Sequence, residues 1–152
     1  MAREKLNGIY IPMVTPFNAD ESINFNGIKE CTDFLVDSGV TGVIPSGSTG
    51  EMVAMTPDEQ IAVNEATVKA ADGRFKVVCS TGAYRTKDVI KMSKAAEAAG
   101  ADGVMAVTPW YMAPNENELL KHYEAIRKEI SIPLMVYHNP CLLYTSDAAD
   151  DR

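Results

Sequence analysis

KVVCSTGAYRTKDVIKMSKAAEAAGADGVMAVTP, residues Lys76–Pro109, holds two short apolar runs with a helical segment between them. The runs are Lys76–Ser80 and Gly103–Pro109. Both are close to continuously apolar and carry little polar/apolar alternation. A strand buried on both faces reads this way, as in a parallel sheet covered by helices. The segment from about Thr86 to Ala99 has helical character, and Gly100 after it is a plausible left-handed terminator. Strand, helix, strand over about 30 residues is a βαβ unit, whose crossover is right-handed in nearly all proteins.

The same rhythm extends in both directions. Gly8–Thr15 and Gly42–Pro45 precede the quoted stretch, and Pro133–Asn139 follows it, each a short apolar run. Strand centres fall near residues 11, 44, 78, 105 and 135. Helical patterns fill the gaps. Asn24–Ser38 places Ile28, Cys31, Phe34 and Leu35 on one face. Thr56-Pro57-Asp58-Glu59 reads as a capping box with proline at the first helical position. Asn115-Glu116-Asn117-Glu118 opens a fourth helix carrying Leu119, Leu120, Tyr123 and Ile126. Five strands alternating with four helices fit an open doubly wound sheet or part of a barrel. No G-x-G-x-x-G follows the first strand, which tilts the reading toward the barrel. The expected fold class is α/β, a partial (β/α)8 TIM barrel comprising the first five strands and four helices, in one domain over residues 1–140.

Composition narrows the function. The formal charge is −7 over 152 residues and 46% of residues are hydrophobic. Such acidity argues against nucleic acid or an anionic membrane surface as partner. The amino terminus is charged and then only briefly apolar, too short for a signal peptide or membrane span. Cys31, Cys79 and Cys141 show no Cys-x-x-Cys and no paired metal-ligand spacing, which suits buried thiols in a reducing compartment. The expectation is a cytoplasmic protein with no metal site.

In parallel α/β folds the chemistry sits at the C-terminal ends of strands. After the second strand, Pro45–Met52 reads PSGSTGEM, with Gly47 and Gly50 flanking Ser48 and Thr49. Its N–H groups and hydroxyls could wrap a carboxylate or phosphate, or the segment could be a plain βα turn. It lacks the Gly-Lys-Ser/Thr of a P-loop. After the third strand, Ser80–Thr86 offers hydroxyls and Arg85, or alternatively a helix cap at Thr86 and a solvated arginine. After the fourth, Trp110 and Tyr111 either wall a pocket or interface or pack on the neighbouring loop. After the fifth, Tyr137 is placed for proton transfer. His138 alternates to the other face, and His122 within the fourth helix reads as a surface residue.

Taken together these loops resemble the pyruvate-dependent class I aldolases typified by dihydrodipicolinate synthase and N-acetylneuraminate lyase. The carriers are GIYIPMVTPFNADESINF from Gly8, GSTGE followed by TPDEQ, ADGR before the third strand, STGA, VTPWY and the strand ending in Tyr137. The resemblance covers about residues 6–140 and implies a Schiff base between pyruvate and a lysine at the end of a sixth strand. It implies that Ser48 and Thr49, with Gly47, hold the pyruvate carboxylate. Ser48, Tyr137 and Tyr111 would relay protons, with Tyr111 reaching a neighbouring subunit's site in a homo-oligomer, expected to be a tetramer. Pyruvate and a second aldehyde are then the small-molecule partners, and no cofactor is needed. The activity closest to this pattern is 4-hydroxy-tetrahydrodipicolinate synthase, joining pyruvate to aspartate semialdehyde. Two features leave other readings open. The sequence after the fifth strand is YHNP, without the arginine that the synthase places there. Ser48 stands where the synthase often has threonine. A neuraminate-lyase-like or sugar keto-acid aldolase or dehydratase is the alternative within the family, and a non-catalytic anion-binding or scaffold module the alternative outside it.

Cys141–Arg152, CLLYTSDAADDR, breaks the rhythm. Its back-translation resembles a transposon-end adapter used in preparing sequencing libraries. The expectation is that residues 141–152 are a non-native tail, that the gene continues after Pro140, and that the chain as written lacks its lysine and is inactive.

Overall fold

The computed structural model of the chain describes residues 6–110 and 114–139. Five strands and four helices alternate: β1 (Tyr10–Pro12), α1 (Phe25–Asp37), β2 (Gly42–Ile44), α2 (Pro57–Ala71), β3 (Lys76–Ser80), α3 (Thr86–Ala99), β4 (Gly103–Val107), α4 (Glu116–Glu129) and β5 (Leu134–Tyr137). The strands form one sheet in the order β1-β2-β3-β4-β5, and every pairing is parallel.

Two apolar layers decide between the architectures left open by the sequence. Val43, Val77, Cys79, Val104 and Ala106 point to one face, where they meet Ala71, Val89, Met92, Ala96, Ile126 and Ile130 of the helices and their ends. Ile44, Val78 and Met105 point to the other face and pack with Leu6, Tyr10 and Met135. All the helices named in that packing lie on the first face. They also pack in chain order, α1 on α2, α2 on α3 and α3 on α4. A doubly wound sheet would reverse its strand order and put helices on both faces. Sequential order with one helical layer is the wall of a (β/α)8 barrel, here its first five strands and four helices.

Local chemistry sets the element ends. The Asn24 side chain accepts from the Gly27 amide at 2.9 Å and starts α1. Reciprocal capping boxes start α2 at Thr56 and Glu59, and α4 at Asn115 and Glu118, as their sequences predict. Gly100 ends α3 in the left-handed region, φ +92°. Arg74 of the ADGR segment donates to the Ala70 and Ala71 carbonyls at the end of α2 and to Asp33 of α1. A cation there offsets the negative end of the helix dipole and ties the two helices together.

Four side chains depart from expectation. Phe34 is 70% exposed and Leu120 58%. Phe34 lies over an apolar groove of about 440 Å³ beside β1, lined also by Ile11, Val14, Cys31 and Leu35. Among the described residues, β1 has a strand on one side only, so no neighbouring layer covers this face. Arg85, and not Thr86, occupies the cap position of α3, and it is paired with Asp88 at 2.6 and 2.9 Å. His122 is buried and not a surface residue. It faces inward with Ile126 four residues on, at the α3–α4 contact. The expected boundary between residues 140 and 141 lies outside the described residues.

Candidate active site

The loop after β2 is shaped by the residues around it. Ser46 and Glu51 both sit in the left-handed region, φ +55° and +58°, which non-glycine residues seldom adopt. Such backbone persists only where surrounding contacts hold it. The hydroxyl of Thr15, three residues past β1, donates to the Gly50 carbonyl at 2.7 Å. A side chain at Gly50 would stand 3.0 Å from the Met13 carbonyl oxygen and 3.1 Å from the Ser46 nitrogen, so any larger residue would have to push the loop a few tenths of an ångström away. Inside the loop, the Glu51 amide donates to the Ser48 carbonyl at 3.1 Å and the Met52 amide to that of Gly47 at 3.2 Å.

Gly47 and Gly50 are therefore buried, while Ser48 and Thr49 are presented outward at the C-terminal end of the sheet. No described residue accepts a hydrogen bond from the Ser48 or Thr49 amide. Two hydroxyls and two free amides on a glycine-flanked turn can receive the two oxygens of a carboxylate without a cation.

Tyr137 ends β5 opposite Val107, with the register that sets Met105 opposite Met135. Alternation puts Tyr137 on the lumen face with those two methionines and His138 on the other. Tyr137 is 36% exposed, and its carbonyl accepts from the Thr108 amide at 3.1 Å. Ser48 and Tyr137 lie at the same end of the sheet, with β3 and β4 between their strands. At about 4.8 Å per strand the separation is roughly 14 Å along the sheet, and barrel curvature shortens it across the lumen. Tyr111 lies outside the described residues.

The loop after β3 is not a second open anion site. Thr81 is fully buried, and its hydroxyl oxygen accepts from Ser93 of α3 at 3.0 Å. Ser80 is 1% exposed, and Arg85 is taken by Asp88. Trp110 packs edge to face on Tyr84 with ring centroids 6.3 Å apart, joining the loops after β3 and β4.

Other residues come into view only in three dimensions. Gln60 and Asn64, four residues apart on α2, are 4% and 1% exposed and reach toward the strand ends. The Gln60 side-chain N–H donates to the carbonyls of Met52 and Met55 at 3.1 and 3.5 Å. That of Asn64 donates to the carbonyl of Ser80 at 2.9 Å. The available signal was polar residues at Gln60, Asn64 and Thr67, a helical spacing on the face that should bury apolar side chains. His122 shares a 2.9 Å hydrogen bond between its Nδ1 and the Thr86 hydroxyl, and its Nε2 is buried with no described partner. Burial draws its pKa down. Burial also pushes the adjacent Tyr123 phenol up to about 12. The Cys79 thiol is pushed upward too, by burial first and the Asp102 charge second, so it is an inert core thiol.

A (β/α)8 barrel wall with a glycine-flanked hydroxyl turn and a lumen-facing tyrosine at its strand ends defines the structural class. Residues 5–146 match the dihydrodipicolinate synthetase family, and the chain belongs to that family. It is 38% identical over 135 residues to 4-hydroxy-tetrahydrodipicolinate synthase of Methanococcus maripaludis, covering 89% of this chain and 46% of the relative. It is 40% identical over 128 residues to the enzyme of the same name from Bacillus subtilis, covering 84% and 44%. Among solved structures it superposes on YagE, a prophage protein of the dihydrodipicolinic acid synthase family from E. coli K12 in complex with pyruvate. The TM-score is 0.89 at 29% identity, over 97% of this chain and 52% of that one. The chain spans about half the length of the relatives it matches.

Proposed function

We propose that this chain is the carboxylate-holding half of a pyruvate-dependent class I aldolase, closest to 4-hydroxy-tetrahydrodipicolinate synthase. The observation that carries the reading is the turn at Ser48 and Thr49, with free amides and hydroxyls at the strand ends of a sheet that superposes on a pyruvate-bound relative. In this reading Gly47, Ser48 and Thr49 bind the pyruvate carboxylate and present its carbonyl carbon to a lysine amine. Condensation releases water and forms the Schiff base. Loss of a methyl proton then gives the enamine, whose carbon attacks the aldehyde of the second substrate. Tyr137, with Ser48 and Tyr111, moves the protons. The aldehyde is proposed to be aspartate semialdehyde, the second substrate that the family resemblance implies. The parent is read as a homo-oligomer in the cytoplasm, and the unpaired thiols of Cys31 and Cys79 fit a reducing compartment. Among the described residues, no helix is long and apolar enough to cross a membrane.

The lysine is placed beyond Pro140. Among the described residues every lysine lies on α1, α2, α3 or α4, or at the start of β3, where Lys76 pairs with Asp102 at 2.9 Å. None stands at a strand's C-terminal end, so the 152-residue chain alone is proposed to form no covalent adduct and to be inactive. The test is to read the source DNA past codon 140 without transposase, express the continued frame and treat it with borohydride and pyruvate. The proposal expects a stable adduct on a lysine beyond residue 140 and none on the 152-residue chain. An adduct within residues 1–140, or no adduct on the longer protein, overturns it.

A further inference from the structure

We propose that Gln60, supported by Asn64 one turn further along α2, is a positioning residue that holds the Ser46–Glu51 loop in its carboxylate-receiving shape. The inference rests on the reading of that loop as the carboxylate site.

Gln60 holds the segment after the loop through its side chain and meets the residue that opens the loop through its backbone. Its backbone carbonyl accepts from the Ser46 hydroxyl at 3.5 Å, before the turn. Its side-chain amide donates to the carbonyls of Met52 and Met55 at 3.1 and 3.5 Å, after the turn. The two left-handed residues are Ser46, which itself meets Gln60, and Glu51, which adjoins Met52. At 4% exposure Gln60 has almost no access to water, so no solvent molecule readily replaces its bonds. Asn64, at 1% exposure, fixes the Ser80 carbonyl at the end of β3, the strand that flanks the loop on the side away from β1.

A purely packing role fits the chemistry poorly. Both side chains sit on the face of α2 turned to the sheet, where an apolar residue would pack without leaving polar atoms unpaired. Gln60 Oε1 and Asn64 Oδ1 have no described partner. The amides bond carbonyls at the end of β3 and just after the loop, and not in the interior of the sheet. Polar side chains kept in an apolar interface with half their capacity unused are explained by the backbone they hold.

The experiment is amide hydrogen exchange by NMR on the 152-residue chain, comparing wild type with Gln60→Met, Asn64→Leu and Val63→Ala. Gln60→Met keeps length and removes the donor. Val63, fully buried on the same helix, makes a packing defect without touching the loop's hydrogen bonds. The reporters are the Glu51 and Met52 amides, which are bonded within the loop. Gln60→Met is expected to speed their exchange about tenfold or more relative to amides of β3 and α3, whereas Val63→Ala speeds all of them together. Asn64→Leu is expected to act on the same two amides more weakly. Gln60→Glu, which turns the donor into an acceptor, should reproduce the local effect and serves if the methionine variant does not fold. Uniform acceleration or none in the Gln60 variants overturns the proposal. Sodium pyruvate is the binding probe, and Gln60→Met should weaken its effect on the Ser48 and Thr49 amides at least tenfold. If wild type itself does not respond to pyruvate, the carboxylate reading fails while the exchange comparison still decides whether Gln60 holds the loop.

Discussion

Protonating His122 where it sits should cost the fold stability in a narrow and predictable range of pH. The ring is 6% exposed, its Nδ1 meets a neutral hydroxyl on Thr86, and its Nε2 faces no described acceptor. Burial therefore penalises the cation and lowers the folded-state pKa. An unfolded histidine titrates near about 6.5. Below that value the unfolded chain takes up a proton that the folded chain refuses, so stability falls with pH until the folded-state value is passed. The slope cannot exceed about 1.4 kcal/mol per pH unit for one group. Asp20, Asp33, Glu59 and Glu97 also have depressed values, through hydrogen bonds from Ser22, Lys29, Thr56 and Ser131 respectively. Their stabilising effect is lost only near and below their unfolded values of about 4. The interval from about pH 6.5 to about pH 5 thus belongs to His122, since the exposed His138 is common to both proteins under comparison. Urea unfolding at pH steps across that interval would compare wild type with His122→Gln, which retains a group able to pair with Thr86. Wild type should lose stability across that interval that the variant keeps, by no more than about 1.4 kcal/mol per pH unit. Parallel pH profiles would refute the argument and place His122 in contact with water or an unseen acceptor.

Two further perturbations test the frame that carries the site. Gly42→Ala would put a carbon 2.3 Å from the Lys76 carbonyl oxygen and 2.8 Å from the Tyr10 ring, so the backbone of β2 or β3 has to move. A loss of about 3 kcal/mol or of the cooperative transition is expected, and a near-neutral urea midpoint would show the packing to be looser than this. Thr56→Ala removes one partner of the capping box that starts α2, where the Thr56 amide meets Glu59 at 2.7 Å and the Glu59 amide meets the Thr56 hydroxyl at 3.3 Å. About 1 kcal/mol should be lost by denaturant titration, and an unchanged midpoint would mean that the start of α2 does not depend on its cap.

Much of this structure is legible in the chain because local signals and global packing agree. Continuous apolar runs such as Val77–Cys79 mark strands buried on both faces, and that pattern does not depend on the neighbours. The capping boxes at Thr56 and Asn115 state their helix starts within four residues. The loop at Ser48 and Thr49 is visible as a turn because its two glycines follow closely on an apolar run. What could not be read is what depends on contacts distant in sequence. His122 looks like a surface residue until Thr86, 36 residues earlier, supplies its partner. Phe34 fits the apolar stripe of α1, yet the face it continues along β1 has no described neighbour to bury it. Gln60 and Asn64 look like ordinary helix polarity because their acceptors are backbone carbonyls, which no residue type announces.

The most direct test of the central claim is an amide-resolved NMR titration of the chain with sodium pyruvate, with acetate and inorganic phosphate as comparison anions. The account predicts saturable shifts centred on the Ser48 and Thr49 amides, spreading to Gly47 and Tyr137, stronger for pyruvate than for acetate. Shifts elsewhere, or a response to phosphate that exceeds that to pyruvate, would contradict it and make the loop a phosphate-binding turn.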